Sequence, residues 1–182
     1  MTLKRRELLR AGLVAAAGGA AWTAAGAALA MPETNVRRLG FNHLHTGETL
    51  DIAYWENGAY VPSALVAVNH VLRDWRTDTT YPIEPRLLDL LAALQSRLGT
   101  SERYEVICGY RSPTTNAMLH ERSNEVAVHS LHMAGQAIDI RLAGVDLERM
   151  RDTAMGLAVG GVGYYAGDFV HIDVGRVRHW AG

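Results

Sequence analysis

Two apolar stretches of this chain carry ionisable side chains where a sheet would bury hydrocarbon. In "SLHMAGQAIDI", Ser130 to Ile140, His132 and Asp139 sit among Leu, Met, Ala and Ile. In "DFVHIDVG", Asp168 to Gly175, His171 and Asp173 interrupt a run of Phe, Val and Ile. An unpaired carboxylate in such surroundings costs several kcal/mol, so a cation must stand beside it. The fold therefore has to bring these groups to either an arginine or a metal ion.

Strand periodicity places Phe169, His171 and Asp173 on one face of the second stretch and Val170, Ile172 and Val174 on the other. The aliphatic face serves the core, which leaves His171 and Asp173 projecting together. His132 and Asp139 are an odd number of residues apart and would point oppositely along a straight strand. Gly135 lets the chain bend, so His132 can sit on a loop that curls over the strand carrying Asp139. Two histidines and one carboxylate, with a water, make a four-coordinate zinc site with an open position. Calcium wants more oxygens than these stretches supply, whereas iron fits the same donors and stays open.

The bulk properties agree with such a site. The chain has 182 residues, enough for one domain. Its formal net charge of -1 points to neither a nucleic-acid nor a membrane partner. The single cysteine, Cys108, excludes an internal disulfide and a cysteine-rich zinc knuckle, so a metal site must draw on His, Asp and Glu. No internal repeat is present and nothing calls for a second subunit, so the chain reads as a monomer.

The first thirty residues differ from the rest. Lys4, Arg5, Arg6 and Arg10 precede an Ala/Gly-rich run that closes on Ala28-Leu29-Ala30, a small-x-small cleavage pattern. Paired Arg5-Arg6 ahead of Leu8-Leu9 resembles a twin-arginine export signal. Residues 1–30 are therefore expected to be an export signal, and residues 31–182 one mildly acidic domain in the periplasm. No stable membrane insertion is expected after the signal is removed.

Within that domain, Leu39 to Val61 alternates and carries the turn pair Asn57-Gly58, which predicts a β-hairpin. Helical spacing predicts helices over Pro62–Thr77, capped near Pro62 and Ser63, and over Pro85–Gly99. Further helices are expected over Ser112–Ser123, capped at Ser112 or Thr114, and over Val145–Gly160. Tyr104–Cys108 and Ala137–Ile140 read as strands, and Gly160–Gly175 as a turn followed by a strand. This order predicts an α+β fold with helices on one face of a small antiparallel sheet.

"CGYRSPTTNAML", "HSLHMAGQAIDI", "GGVGYYAGDFVHIDVG" and, upstream, "NHLHTGETL" together resemble the exported M15-type zinc peptidases of the DUF882 group, within the D-alanyl-D-alanine peptidase superfamily. The likeness spans nearly all of residues 31–182 in one order. It implies a Hedgehog-like fold, one Zn2+ per chain, and metal ligands at His132, Asp139 and His171, matching the His of S-L-H-M, the Asp of A-I-D and the His of F-V-H. It also implies a substrate, the stem peptides of peptidoglycan, and a role for Arg111 of "GYRS" in binding substrate or a developing oxyanion.

Zinc chemistry needs a carboxylate to take the proton of the attacking water. Relatives with an E-x-x-H pattern carry it three residues before the last ligand. Asp168 holds that place here, with Asp173 two residues after His171 as the rival. Face matching favours Asp173 as the base, although it also suits an acceptor that orients a ligand histidine. Ser112, Ser130 and Gln136 are candidate substrate contacts, and His129 a further proton carrier. Cys108, where relatives often carry serine, offers a nucleophile as competing chemistry, but its strand makes it read as a small buried residue. The expected function is hydrolysis of peptide cross-links in peptidoglycan. A D,D-carboxypeptidase would use the same site, and a non-catalytic cell-wall-binding module would keep the fold alone.

Overall fold

The computed structural model describes residues 35–123 and 126–182, so the expected export signal lies outside the described residues. The chain enters through β1 (Val36–His43), β2 (Thr49–Glu56) and β3 (Ala59–Tyr60), then α1 (Pro62–Val71) and α2 (Pro85–Leu98). Next come β4 (Tyr104–Cys108), α3 (Pro113–Arg122), a 3-10 turn at Leu131–Ala134, β5 (Ala137–Leu142) and α4 (Leu147–Gly156). It closes with β6 (Gly161–Tyr165), β7 (Phe169–Asp173) and β8 (Arg178–Ala181). The strands form one sheet in the order β3-β2-β1-β4-β5-β7-β6-β8.

The α+β expectation holds, but the sheet is larger than expected and mixed: β1 pairs β4 in parallel, as does β6 with β8. Asn57 and Gly58 both take positive φ, 50° and 87°, and close the β2–β3 hairpin as a two-residue turn. The second helix starts at Pro85 and ends against left-handed Gly99, as its sequence predicts. The first helix is shorter than its apolar spacing suggests. Val61, not Ser63, is its N-cap, and it stops at Val71, after which Leu72 leaves the helical conformation and the Asp74 backbone pairs with Thr79. The Asp74 carboxylate accepts from the Arg76 and Ser112 amides at 3.0 and 2.9 Å, fastening the segment before α3 to the end of α1. Ser112 caps α3, accepting from the Thr115 amide.

The closing segment also differs from expectation. Gly161–Tyr165 is a strand, not part of a turn, and it pairs with β7 on one side and β8 on the other. Its glycines hid it: a Cβ on Gly163 would lie 2.6 Å from the Trp180 ring, so a strand-forming residue has no room there.

The core packs α1 on β2, α2 on β1 and α4, and α4 on β5, β6 and β7. Leu87, Leu88, Leu91 and Leu94 of α2 are fully buried, as are Ile138 and Ile140 of β5 and Val170 of β7. Burial at this scale stabilises by roughly 1.5–3 kcal/mol per large side chain. Asp139 and His171, the residues that alternate with those aliphatics, occupy the sheet's other face.

Candidate metal centre

Register builds most of the site. Cys108 lies opposite Asp139 across β4 and β5, past a bulge after Val106, and Asp139 lies opposite His171 across β5 and β7. Three neighbouring strands thus present Cys108, Asp139 and His171 in a row. His132 arrives from the 3-10 turn, which ends at Gly135 with φ 64°. No side chain fits at Gly135, since a Cβ would come 2.2 Å from the Pro82 carbonyl oxygen. The bend anticipated at this glycine is what lays His132 over Asp139.

His132 Nδ1 donates to the Gly109 carbonyl at 2.8 Å, which leaves Nε2 facing inward. That Nε2 lies 3.2 Å from Asp139 Oδ1 and 3.1 Å from His171 Nδ1, and His171 Nδ1 lies 2.8 Å from the same carboxylate oxygen. A tetrahedral ion with bonds of about 2.0–2.1 Å holds its ligand atoms roughly 3.3 Å apart, so these three atoms suit three corners around one ion. Cys108 Sγ, His132 and Asp139 also lie within 4.8 Å of one another, a second overlapping set of donors. All four residues are buried.

The electrostatics follow from crowding one buried carboxylate against two imidazoles. Burial acts to raise the pKa of Asp139, but His132 and then His171 outweigh it and hold the carboxyl far below the usual carboxylate range. Burial acts to lower that of His132, yet Asp139 and Cys108 push it up to about 10. A proton on this imidazole stands in for a cation, and a buried carboxylate facing two imidazoles is the donor set a divalent metal would take up.

Around these residues opens a cleft of about 580 Å³, lined among others by Arg111, His129, Asp168, Phe169, Arg178 and Trp180. Arg111 sits at its inner wall, Nη2 3.6 Å from Asp139 Oδ2 and from Cys108 Sγ. Asp168 is in the β6–β7 turn with its side chain 63% exposed, and its carboxylate is 3.9 Å from Arg141.

Asp173 stands behind His171 and does not line the cleft. It shares a face with His171, as expected, and accepts from His171 Nε2 at 3.2 Å. It is also completely buried. Oδ1 takes the Gly161 and Gly175 amides at 2.9 and 2.8 Å, and Arg178 grips both oxygens at 3.1 and 2.6 Å. Burial acts to raise its pKa, but His171, Arg178 and the two amides hold it well below the carboxylate range. A carboxylate so enclosed has no face toward the cleft from which to accept a proton from water. Arg178 carries no signal of this role in the sequence, nor does Trp180, whose ring centroid is 5.1 Å from that of His171 and whose Nε1 donates to Tyr165 Oη. Nothing in their spacing connects them to His171 until β8 is laid beside β6.

Residues 31–180 match the M15 peptidase family described as peptidoglycan L,D-endopeptidase MepK. The chain belongs to this family. It is 41% identical over 177 residues to the peptidoglycan L,D-endopeptidase MepK of Escherichia coli strain K12, covering 97% of this chain and 96% of that protein. The probable peptidoglycan L,D-endopeptidase MepK of Haemophilus influenzae is 41% identical over 157 residues, covering 85% and 84%. The matched residues take in every residue of the site and all of the sheet except Ala181 at the end of β8. No helix among the described residues is long and apolar enough to cross a membrane.

Proposed function

We propose that this chain is an exported zinc endopeptidase that hydrolyses peptide cross-links of peptidoglycan in the periplasm. One observation carries the reading. In a chain so similar to MepK over its full length, three buried donor atoms lie 2.8–3.2 Å apart at the floor of an open cleft. His132 through Nε2, Asp139 through Oδ1 and His171 through Nδ1 would hold the ion. What zinc supplies when bound is a water acidic enough to lose its proton near neutral pH, and a positive charge against the scissile carbonyl.

The protein's own groups do the rest. Asp168, three residues before His171 and exposed at the cleft, takes the water's proton and returns one to the departing amine. Arg111, buried beside Asp139, presents its guanidinium to the substrate carbonyl or a neighbouring carboxylate. Asp173 orients His171. The activity for which the relatives are named, L,D-endopeptidase, favours cross-links over chain ends as the target, against the carboxypeptidase alternative. The paired Arg5-Arg6 and the Ala28-Leu29-Ala30 pattern support twin-arginine export.

The decisive experiment digests purified sacculi with the zinc-loaded protein, with and without chelator. Chelator-sensitive loss of cross-linked muropeptides is the expected result. Identical profiles in both samples would defeat the enzymatic reading and leave a cell-wall-binding module. One further observation favours a variant of this reading, in which Cys108 replaces His171 in the ligand set. Metal analysis of Cys108→Ser separates the two, since full zinc retention excludes the cysteine.

A further inference from the structure

We infer that Arg178 is a positioning residue for the metal centre: its guanidinium holds Asp173 so that His171 keeps its proton on Nε2 and turns Nδ1 toward the ion. The inference rests on the metal reading proposed for this chain and adds to it a residue that acts through two others. Arg178 Nη1 donates to Asp173 Oδ1 at 3.1 Å and Nη2 to Oδ2 at 2.6 Å, a forked contact that sets the plane of the carboxylate. The Gly161 and Gly175 amides, both donating to Oδ1, block its rotation. Oδ2 is thereby aimed at His171 Nε2, 3.2 Å away. An imidazole that donates from Nε2 has Nδ1 free to ligate, and that is the atom facing Asp139 and His132.

The choice of arginine has two physical grounds. Asp173 is completely buried, so its charge needs a partner, and a single ammonium could neutralise it without fixing its plane. Arg178 is itself held, with its guanidinium carbon 4.9 Å from the centroid of the Trp180 ring, which packs against the His171 ring. Both side chains come from β8, which lies parallel to β6 with Gly161 opposite Arg178 and Gly163 opposite Trp180. A Cβ at Gly161 would fall 2.4 Å from Arg178 Nη1, and one at Gly163 2.6 Å from Trp180. Two glycines in a strand weaken it, so their presence here marks space reserved for the two side chains that brace His171.

The test compares full-length wild type, Arg178→Ala and Arg178→Lys by zinc competition titration and by long-range 1H–15N spectra of the zinc-loaded histidines. In wild type, His171 is expected to show one tautomer with Nε2 protonated. In Arg178→Ala the zinc Kd should rise roughly 10–100-fold and the single-tautomer signature should be lost. Arg178→Lys should fall between the two, because it restores charge without the fork. Zinc affinity and a His171 tautomer unchanged in Arg178→Ala would overturn the inference. Should that variant fail to fold, Arg178→Lys decides by the same two readouts, wild-type values again overturning it. A wild-type chain that binds no zinc would bring down the metal reading and this inference together. Zinc bound equally by wild type and variants removes only the role of Arg178.

Discussion

His132 and His171 turn different nitrogens inward, Nε2 for one and Nδ1 for the other, because each has its second nitrogen engaged by the protein, at Gly109 and Asp173. With His132, Asp139 and His171 as the proposed ligands, removing either ring leaves two of the three donors. His132→Ala and His171→Ala should therefore lose zinc on gel filtration while Cys108→Ser keeps it, which metal analysis of the purified variants would show. The two aspartates beyond the ligands part company. Asp168→Asn should retain zinc and lose activity on cross-linked muropeptides by roughly a hundredfold, in the range of a missing general base. Asp173→Asn should instead loosen zinc, since an amide cannot replace an acceptor that serves His171, Arg178 and two backbone amides. If Asp173→Asn keeps full zinc and loses only turnover, the assignment of these two residues is reversed.

Among the elements, those whose signals are local are legible in the amino-acid order itself. Pro85 and Gly99 bracket α2, Asn57-Gly58 closes a hairpin and Ser112 caps α3, because each acts within a few residues of itself. The convergence of His132, Asp139 and His171 is legible for a related reason: ionisable groups in apolar strands announce a partner wherever they occur. What stays hidden depends on distant pairing. The segment after α1 is held by Asp74 reaching forward to Ser112, and β6 looks like a turn until Trp180 occupies the space above Gly163. Asp173 can be placed on the correct face but not recognised as sealed, since Arg178 meets it only through the β6–β8 pairing. The 3-10 turn that carries His132 is the most demanding element, and Gly135 is its weak point. Gly135→Ala combines a left-handed φ with a backbone clash and should destabilise by about 2–3 kcal/mol, with zinc affinity falling alongside. Thermal melts and zinc titration of the same sample would check both, and a wild-type Tm would refute it.

For the whole molecule, stability should respond to acid and, on the metal reading proposed above, to the ion. A ligand held at a hundred times its Kd contributes about 2.7 kcal/mol, so chelation should lower Tm by several degrees and zinc should restore it. Acid acts through buried carboxylates such as Asp74. Burial acts to raise its pKa, but hydrogen bonds from Ser112 and Thr115 and from the Ser112 and Arg76 amides outweigh that and lower it. A carboxyl depressed in the folded state favours folding at pH values above its unfolded pKa of about 3.9, and the benefit fades as pH drops through the folded value. Melts should therefore lose stability below about pH 4 in wild type, with a shallower loss in Asp74→Asn; parallel pH profiles would contradict this. Because both imidazoles are tethered from behind, the protein itself fixes which nitrogen each turns inward. On the proposed ligand set, a visible-absorbing ion such as cobalt should then bind in zinc's place without disturbing the sheet, giving the hydrolase an optical signal with which to watch each step at its own centre.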